Sequence, residues 1–111
     1  MSEPWVLPDE LRYLVEAGEQ DLVTEVLAVF RSDTAERLKK AQRALEGKDL
    51  VTVRNEAHAM KGSAWQVGAT QVAAICQRIE ADAPGADPAD LRDRLQKLEA
   101  AFDEVCRQMA S

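Results

Sequence analysis

The sequence predicts an all-α protein, an antiparallel up-down four-helix bundle with a short extra N-terminal helix. Apolar residues recur at steps of three and four through four long segments, as on the buried face of an amphipathic helix. No segment alternates apolar and polar residues with a period of two, so no strands are expected. The turns between the segments are short, which makes consecutive helices antiparallel neighbours. With 111 residues, the chain is expected to form a single domain over residues 1–111.

Composition and charge are those of an ordinary soluble globular protein. Hydrophobic residues make up 46% of the chain and charged residues 31%. The net charge is -6, with no basic cluster beyond Lys39 and Lys40, which disfavours binding to nucleic acid or to an anionic membrane surface. No apolar run approaches the ~18 residues of a membrane-spanning helix. Cys76 and Cys106 lack metal-ligand spacing and no secretory leader precedes them, so both are expected to be reduced thiols of a cytoplasmic protein.

The first half of the chain predicts one short and one long helix. Pro8 is tolerated in a first helical turn, and Gly18 ends the apolar pattern that follows it. Trp5, which precedes this short helix, is expected to pack on the bundle rather than to contact a partner. A long helix is predicted from about residue 19 to residue 45, where proline and glycine are absent, and Gly47 is expected to stop it. Its apolar face consists of Val23, Val26, Leu27, Phe30, Thr34, Leu38, Ala41 and Leu45.

The second half predicts three further segments of structure. Asp49 is placed to cap a third helix. The apolar stripe of that helix consists of Leu50, Val53, Ala57, Met60, Ala64 and Val67. Gly68 is placed for a left-handed helix end and Thr70 for capping a fourth helix. After a loop at residues 83–86, Asp87 is the expected N-cap of a last helix. The apolar face of this helix consists of Leu91, Leu95, Leu98, Phe102, Val105 and Met109.

The third helix contains the chain's only histidine, His58. At about 100° per residue, His58 lies roughly 130° from the centre of the apolar stripe, so its ring should face solvent. Gly62, one turn later, costs a helix about 1 kcal/mol relative to alanine, and the simplest reason for it is clearance for a phosphoryl group or another molecule's backbone. Lys61 places a positive charge at the same rim, suited to anionic oxygens. These features alone are also compatible with an ordinary solvated histidine.

A resemblance to a known family strengthens the functional interpretation of His58. The residues that carry it are His58-Ala59-Met60-Lys61-Gly62-Ser63, then Gly68-Ala69, then Cys76-Gln77-Arg78-Ile79-Glu80. Together they resemble the signature of histidine-containing phosphotransfer (HPt) domains. The contiguous match spans about residues 49–80. The resemblance implies that His58 is phosphorylated and that Lys61, Gly62 and Glu80 support it.

Helix geometry also places Glu80 near His58. His58 lies ten residues before Gly68 and Glu80 lies twelve after it, which is about 15 and 18 Å along two antiparallel axes at 1.5 Å per residue. The two side chains should therefore lie at nearly the same height, where the carboxylate can reach an imidazole nitrogen. The resemblance implies that this nitrogen is Nδ1. The alternative is that Glu80 is one more surface carboxylate.

The resemblance further implies the partners, which are response-regulator receiver domains and a (hybrid) histidine kinase. Magnesium is expected only in the partner receiver domain, and no cofactor or metal in this chain. The sequence contains no glycine-rich phosphate loop, no second histidine and no acidic cluster at metal-ligand spacing. We therefore expect a phosphoryl carrier without autonomous kinase activity, not an enzyme. Met1 and the short tail after the last apolar position favour a free-standing carrier, although an excised domain would look the same.

Docking is expected on the helix face that displays His58. Val51 and Trp65 lie one to two turns either side of it, and Arg54 and Asn55 one turn before it. Trp65 is equally compatible with packing over the edge of the core. Two other functions remain open. A helical adaptor could bind a partner through the same face without phosphate, and a phosphohistidine phosphatase is disfavoured because one histidine and one lysine provide few acid–base groups.

Overall fold

The computed structural model describes residues 4–110. Residues 1–3 and residue 111 lie outside the described part, and so does the expectation that rests on Met1. The described chain forms five α-helices and a single 3-10 turn. The helices are α1 (Asp9–Glu16), α2 (Gln20–Glu46), α3 (Leu50–Gln66), α4 (Thr70–Asp82) and α5 (Pro88–Ala110). The 3-10 turn, Ala83–Gly85, occupies the predicted loop before α5. No strand occurs in this part of the chain, as the absence of period-two patterning predicts.

Helices α2 to α5 form the bundle. Each packs against the next in chain order, and α5 closes the ring against α2, while the short α1 packs on α2. The molecule measures 47 × 26 × 19 Å along its principal axes, as expected for a bundle of long antiparallel helices. The predicted fold class, an up-down four-helix bundle with a short extra N-terminal helix, is therefore confirmed.

The predicted apolar stripes form the core of the bundle. Five residues of the stripe predicted for α3 are each no more than 2% exposed: Val53, Ala57, Met60 and Ala64 on the helix and Val67 at its C-cap. The rings of Phe30 and Phe102 meet edge to face, with centroids 5.9 Å apart and planes at 69°. Thr34 is fully buried within the α2 stripe, and its hydroxyl has no hydrogen-bond partner among the described residues. The stripe of α3 faces inward, so the opposite face of α3 must point to solvent.

The helix ends confirm most of the predicted caps and stops, including Gly47 at the end of α2, and correct one of them. The Asp49 carboxylate accepts a hydrogen bond from the backbone N–H of Thr52 at 3.1 Å, which is the predicted cap of α3. The prediction for Thr70 is wrong, because Thr70 is the first residue of α4 and the residue before it provides no side-chain cap. Gly47 ends α2 with an ordinary φ of -83°, while the left-handed conformation falls on Lys48 at φ 59°. To predict a cap, the helix end must be placed to within one residue, and hydrophobic periodicity does not place it that finely.

The segment before α1 is anchored across one end of the bundle. The indole N–H of Trp5 donates to the carbonyl of Val67 at 2.8 Å, and its backbone N–H donates to the side chain of Gln108 on α5. Gly68 has φ 76°, and a Cβ there would lie 2.9 Å from Cγ of Pro8. Trp5 thus has the predicted packing role. The segment therefore contacts the α3–α4 turn through Trp5 and Pro8.

A buried carboxylate ties α2 to α3 in a way the sequence did not predict. Glu56 is only 6% exposed. Its two oxygens contact Arg37 at 3.1 Å and Lys40 at 3.6 Å, both on α2. Hydrogen bonds to Asp33, at 2.9 Å, and to Glu56 raise the pKa of Arg37, so this side chain is firmly a cation. Glu56 lies two residues before His58, and these contacts restrain the rotation of α3 about its axis.

Three further expectations concern thiols, membranes and metals. Cys76 and Cys106 are both free thiols, one buried and the other partly buried. Burial, with a smaller contribution from the Glu80 charge, raises the pKa of Cys76 to about 12. No helix between residues 4 and 110 is both long and apolar enough to cross a bilayer. Over the same residues, no three His, Cys, Asp or Glu side chains are grouped so that they could hold a metal ion.

Candidate functional site

His58 is displayed on the outer face of α3. Its side chain is 68% exposed, while Ala57 and Met60 of the same helix are fully buried. The 3.6-residue period accounts for this contrast, because residues one and two positions away point to other sides of the helix. The predicted solvent-facing orientation of the ring is confirmed.

The ring is held from the neighbouring helix by Glu80. Oε2 of Glu80, on α4, lies 2.6 Å from Nδ1 of His58. Its other oxygen, Oε1, accepts a hydrogen bond from Nζ of Lys61 at 2.6 Å. Glu80 is mostly enclosed, with 19% of its side chain exposed, and Lys61 is 24% exposed. The structure therefore brings together the predicted His58, Lys61 and Glu80, and the predicted contact with Nδ1 is present.

The charge of Glu80 determines the protonation of the ring. The hydrogen bond from Lys61, the largest cause, lowers the pKa of Glu80; burial, the second-largest cause, opposes this, and the hydrogen bond from His58 adds a smaller lowering. A carboxylate that stays ionised can only accept hydrogen bonds. In the neutral imidazole, Nδ1 must then carry the proton that it donates to Glu80, which leaves the lone pair of Nε2 free on the exposed side.

Gly62 has no explanation within the fold. A Cβ at this position would meet no atom within 4 Å, so the packing of the described chain does not require a glycine. Its backbone is ordinary helix, where alanine is favoured by about 1 kcal/mol. Gly62 lies one turn after His58, and the space above it is open. The open space supports the predicted reason for this residue, which is clearance beside the histidine for a group outside the chain.

The predicted docking residues surround His58 on the same face. Val51 is 68% exposed and Trp65 53% exposed, and both are large apolar side chains in contact with water. Arg54 and Asn55 are also exposed. With about half of its surface covered, Trp65 is compatible both with packing over the edge of the core and with partner contact. A docking role for these four residues stays a prediction.

Comparison with known proteins identifies the family. The sequence profile of the Hpt domain family matches residues 25–108, more than half of the chain. The chain belongs to the Hpt family. Over 70 residues it is 36% identical to "Histidine-containing phosphotransfer protein 2" of Arabidopsis thaliana, a match that covers 60% of this chain. The matching region is 45% of that relative, so the chain spans less than half of its length.

The fold of this Hpt domain is similar to that of a solved bacterial relative. The crystal structure of histidine-containing phosphotransfer protein B (HptB) from Pseudomonas aeruginosa PAO1 superposes with a TM-score of 0.63 and 28% sequence identity. The similarity covers 98% of this chain and 88% of that one. The family resemblance predicted from the sequence is confirmed. Proteins of the Hpt family work with kinases and receiver domains in two-component relays.

One feature of this Hpt domain was missed by sequence reasoning, an apolar groove between α2 and α3. Its cavity volume is about 300 Å³. The groove is lined by Leu22, Glu25, Val26, Val29, Phe30, Asp33, Ser63, Gln66 and Val67. Leu22 is 44% exposed and Val29 60% exposed. These two residues are seven positions apart, so they lie on one face of α2, and neither belongs to its predicted stripe. This spacing in the sequence would have indicated a second, unburied apolar face.

Proposed function

We propose that this protein relays a phosphoryl group through His58, between a kinase or a receiver-domain aspartate and the aspartate of another receiver domain. The observation that carries the proposal is the exposed His58 ring, held at Nδ1 by Glu80, in a chain whose Hpt profile match includes both residues. An exposed ring admits a partner, and a ring held at one nitrogen offers the other in a fixed direction.

The proposed transfer uses the lone pair of Nε2. As Nε2 attacks the phosphorus of an aspartyl phosphate, the P–O bond to the aspartate breaks and its carboxylate leaves with the electron pair. The proton on Nδ1 stays on the ring, and Glu80 stabilises the positive charge that develops there. In the onward step the aspartate of a second receiver attacks phosphorus, and the P–N bond breaks with its electron pair returning to Nε2.

In this proposal the protein carries phosphate and does not make its own donor. The resemblance implies that the receiver domain supplies magnesium and most of the catalysis, so we assign this chain no cofactor and no autonomous kinase activity. Gly62 gives clearance to the incoming group, which its open surroundings support. Such relays operate between cytoplasmic signalling proteins, and we place this protein in the cytoplasm.

We propose that a receiver docks over the His58 face, through Val51, Arg54, Asn55 and Trp65. The exposure of these residues supports this, because large apolar side chains in water gain most from being covered. We propose that the α2–α3 groove, which Ser63 and Gln66 of the same helix line, adds to this docking surface. The exposed Glu25 among its apolar lining fits a receiver that presents an apolar side chain next to a basic residue.

A labelling experiment tests the proposal. The purified protein is incubated with a phosphorylated receiver domain or a histidine kinase, and the product is examined for a phosphate that is acid-labile and alkali-stable. We expect one such phosphate, absent from His58→Gln, while circular dichroism shows unchanged helix content in the variant. Equal labelling of the wild-type and variant proteins would overturn the proposal.

The exposed Val51, Trp65 and groove also favour a second candidate, a helical adaptor that binds its partner without phosphate. An adaptor would bind a receiver with the same affinity in wild type and in His58→Gln, and neither protein would acquire the label. Binding titrations on the same two proteins therefore separate the candidates.

A further inference from the structure

Lys61 does not extend into the space above His58. Its ammonium group lies 2.6 Å from Oε1 of Glu80, and only 24% of its side chain is exposed. The sequence predicted a different placement, at the rim, where the charge would face the transferring oxygens. A lysine bound to Glu80 in this way must give up a charge-assisted hydrogen bond before it can reach a phosphoryl group.

We propose that Lys61 is a positioning residue, which holds the Glu80 carboxylate against Nδ1 of His58 and does not itself bind the transferring phosphoryl group. The inference rests on the proposed function, because it concerns how the same ring is prepared for transfer. The sequence predicted that Lys61 faces the transferring oxygens. In this proposal Lys61 instead binds Glu80, and the partner neutralises the charge of the phosphoryl oxygens.

The geometry explains why such a residue is needed. The terminal torsion of a glutamate is broad, so a carboxylate with one partner can rotate away from it. In this site each oxygen has its own partner, Lys61 on Oε1 and His58 on Oε2, and the plane of the carboxylate is defined by both. Lys61 is also the largest cause of the lowered pKa of Glu80. Both effects keep Glu80 an acceptor for the Nδ1 proton, which leaves Nε2 as the nucleophile.

A double-mutant cycle distinguishes positioning from phosphoryl binding. Wild type, Lys61→Met, Glu80→Ala and the double variant are phosphorylated with phosphoramidate, a small donor that needs no docking partner. We expect Lys61→Met to slow labelling by roughly tenfold, the scale seen when an outer-shell partner of a metal-ligating histidine is removed. In the Glu80→Ala background the same substitution should have no further effect, because Lys61 has lost the group through which it acts. Lys97→Met serves as the matched control, since Lys97 is also ion-paired, at 3.1 Å to Asp93 on α5.

The tautomer of His58 provides a readout that a merely structural role would not change. Long-range proton–nitrogen NMR spectra of the ring should show the proton on Nδ1 in wild type and a mixture of tautomers in Lys61→Met. Lys61→Arg should restore the Nδ1 form, since a guanidinium can also donate to Glu80. Equal slowing by Lys61→Met in both backgrounds, or an unchanged tautomer in Lys61→Met, would overturn the inference.

Failure of the inference is distinct from failure of the proposed function. If wild-type His58 accepts phosphate from no receiver or kinase, the carrier proposal is lost, and the tautomer spectra still decide what Lys61 does. If His58 is labelled and Lys61→Met slows labelling equally with and without Glu80, the carrier proposal stands and Lys61 binds the phosphoryl group as the sequence predicted.

Discussion

At the scale of single residues, the proposed chemistry depends on a histidine restrained on one side only. Nδ1 of His58 is occupied by Glu80, and the rest of the ring, 68% of the side chain, faces solvent. A ring restrained on both sides would have no room for phosphorus, and an unrestrained ring would present either nitrogen. The arrangement therefore gives one nitrogen a defined role at little cost in access.

Glu80 should titrate below the ordinary pKa of a glutamate, which is 4.5. Because its pKa is lowered in the folded protein, the stabilisation from its contacts is present above that ordinary value. It is lost only as the pH falls through the lower, folded value. Carbon NMR of the Glu80 carboxyl measures this midpoint directly. We expect the midpoint to rise in Lys61→Met, since Lys61 is the largest cause of the shift; a wild-type midpoint at or above 4.5 would contradict the prediction.

At the scale of helices, α3 is positioned from both sides. Glu56 fastens it to α2 through Arg37 and Lys40, and the pair of Lys61 and Glu80 connects it to α4. The side chain of Glu56 is 8% exposed, so its charge is stabilised mainly by these two cations. The outward direction of the histidine face follows from these contacts together with the buried stripe on the other side of α3.

Glu56→Gln should lower the free energy of unfolding by about 1–2 kcal/mol. The substitution leaves Arg37 and Lys40 without their shared anion, but both are partly solvated, which keeps the loss below that of a fully buried pair. Urea unfolding followed by circular dichroism measures it. Glu36→Gln, an exposed position on α2, is the matched control and should change stability little. Equal midpoints for the two variants would show that Glu56 does not fasten α2 to α3.

The α2–α3 groove should contribute to receiver binding but not to stability. Val29 is 60% exposed within the groove, so Val29→Glu leaves the core intact. The added charge replaces apolar contact area within the groove by a carboxylate that docking would desolvate, and we expect receiver affinity to fall by roughly tenfold. Val6→Glu changes an equally exposed valine outside the groove and should leave the affinity unchanged. Calorimetric titration of both variants decides this, and equal affinities would place the docking surface elsewhere.

At the scale of the whole molecule, features carried by periodicity were predictable and features that need a contact between helices were not. The three-and-four spacing placed every helix within a few residues and pointed His58 outward, because burial of one face fixes the other. The burial of Glu56 was missed, because its cations lie on another helix and a charged residue on a helix is usually solvated. The position of the Lys61 ammonium group was also not predictable, since a lysine at this spacing can extend either toward Glu80 or into the space above His58. The proximity of Glu80 to His58 was predicted correctly, because across a short turn the number of residues on each side gives the height of each side chain along its helix.

We expect Gly68 to contribute to stability and Gly62 to phosphoryl transfer. Substituting each glycine by alanine should separate these two effects. Gly68→Ala introduces a Cβ at φ 76° and within 2.9 Å of Pro8, so we expect a loss of about 1–2 kcal/mol from the left-handed backbone alone. Gly62→Ala meets no atom within 4 Å and gains helix propensity, so it should raise the free energy of unfolding by about 1 kcal/mol.

Phosphoryl transfer should be unaffected by Gly68→Ala and slowed by Gly62→Ala. At a temperature where both variants are folded, Gly68→Ala should accept phosphate from a receiver at the wild-type rate, because Gly68 lies ten residues from His58, about 15 Å along α3. Gly62→Ala should transfer severalfold more slowly despite its greater stability, since its methyl group occupies the space beside the ring that an incoming partner needs. Thermal unfolding and receiver-dependent labelling of the same two proteins measure both effects. If Gly62→Ala were more stable and also transferred at the wild-type rate, clearance would not be the reason for this glycine, and the partner would approach His58 from another side.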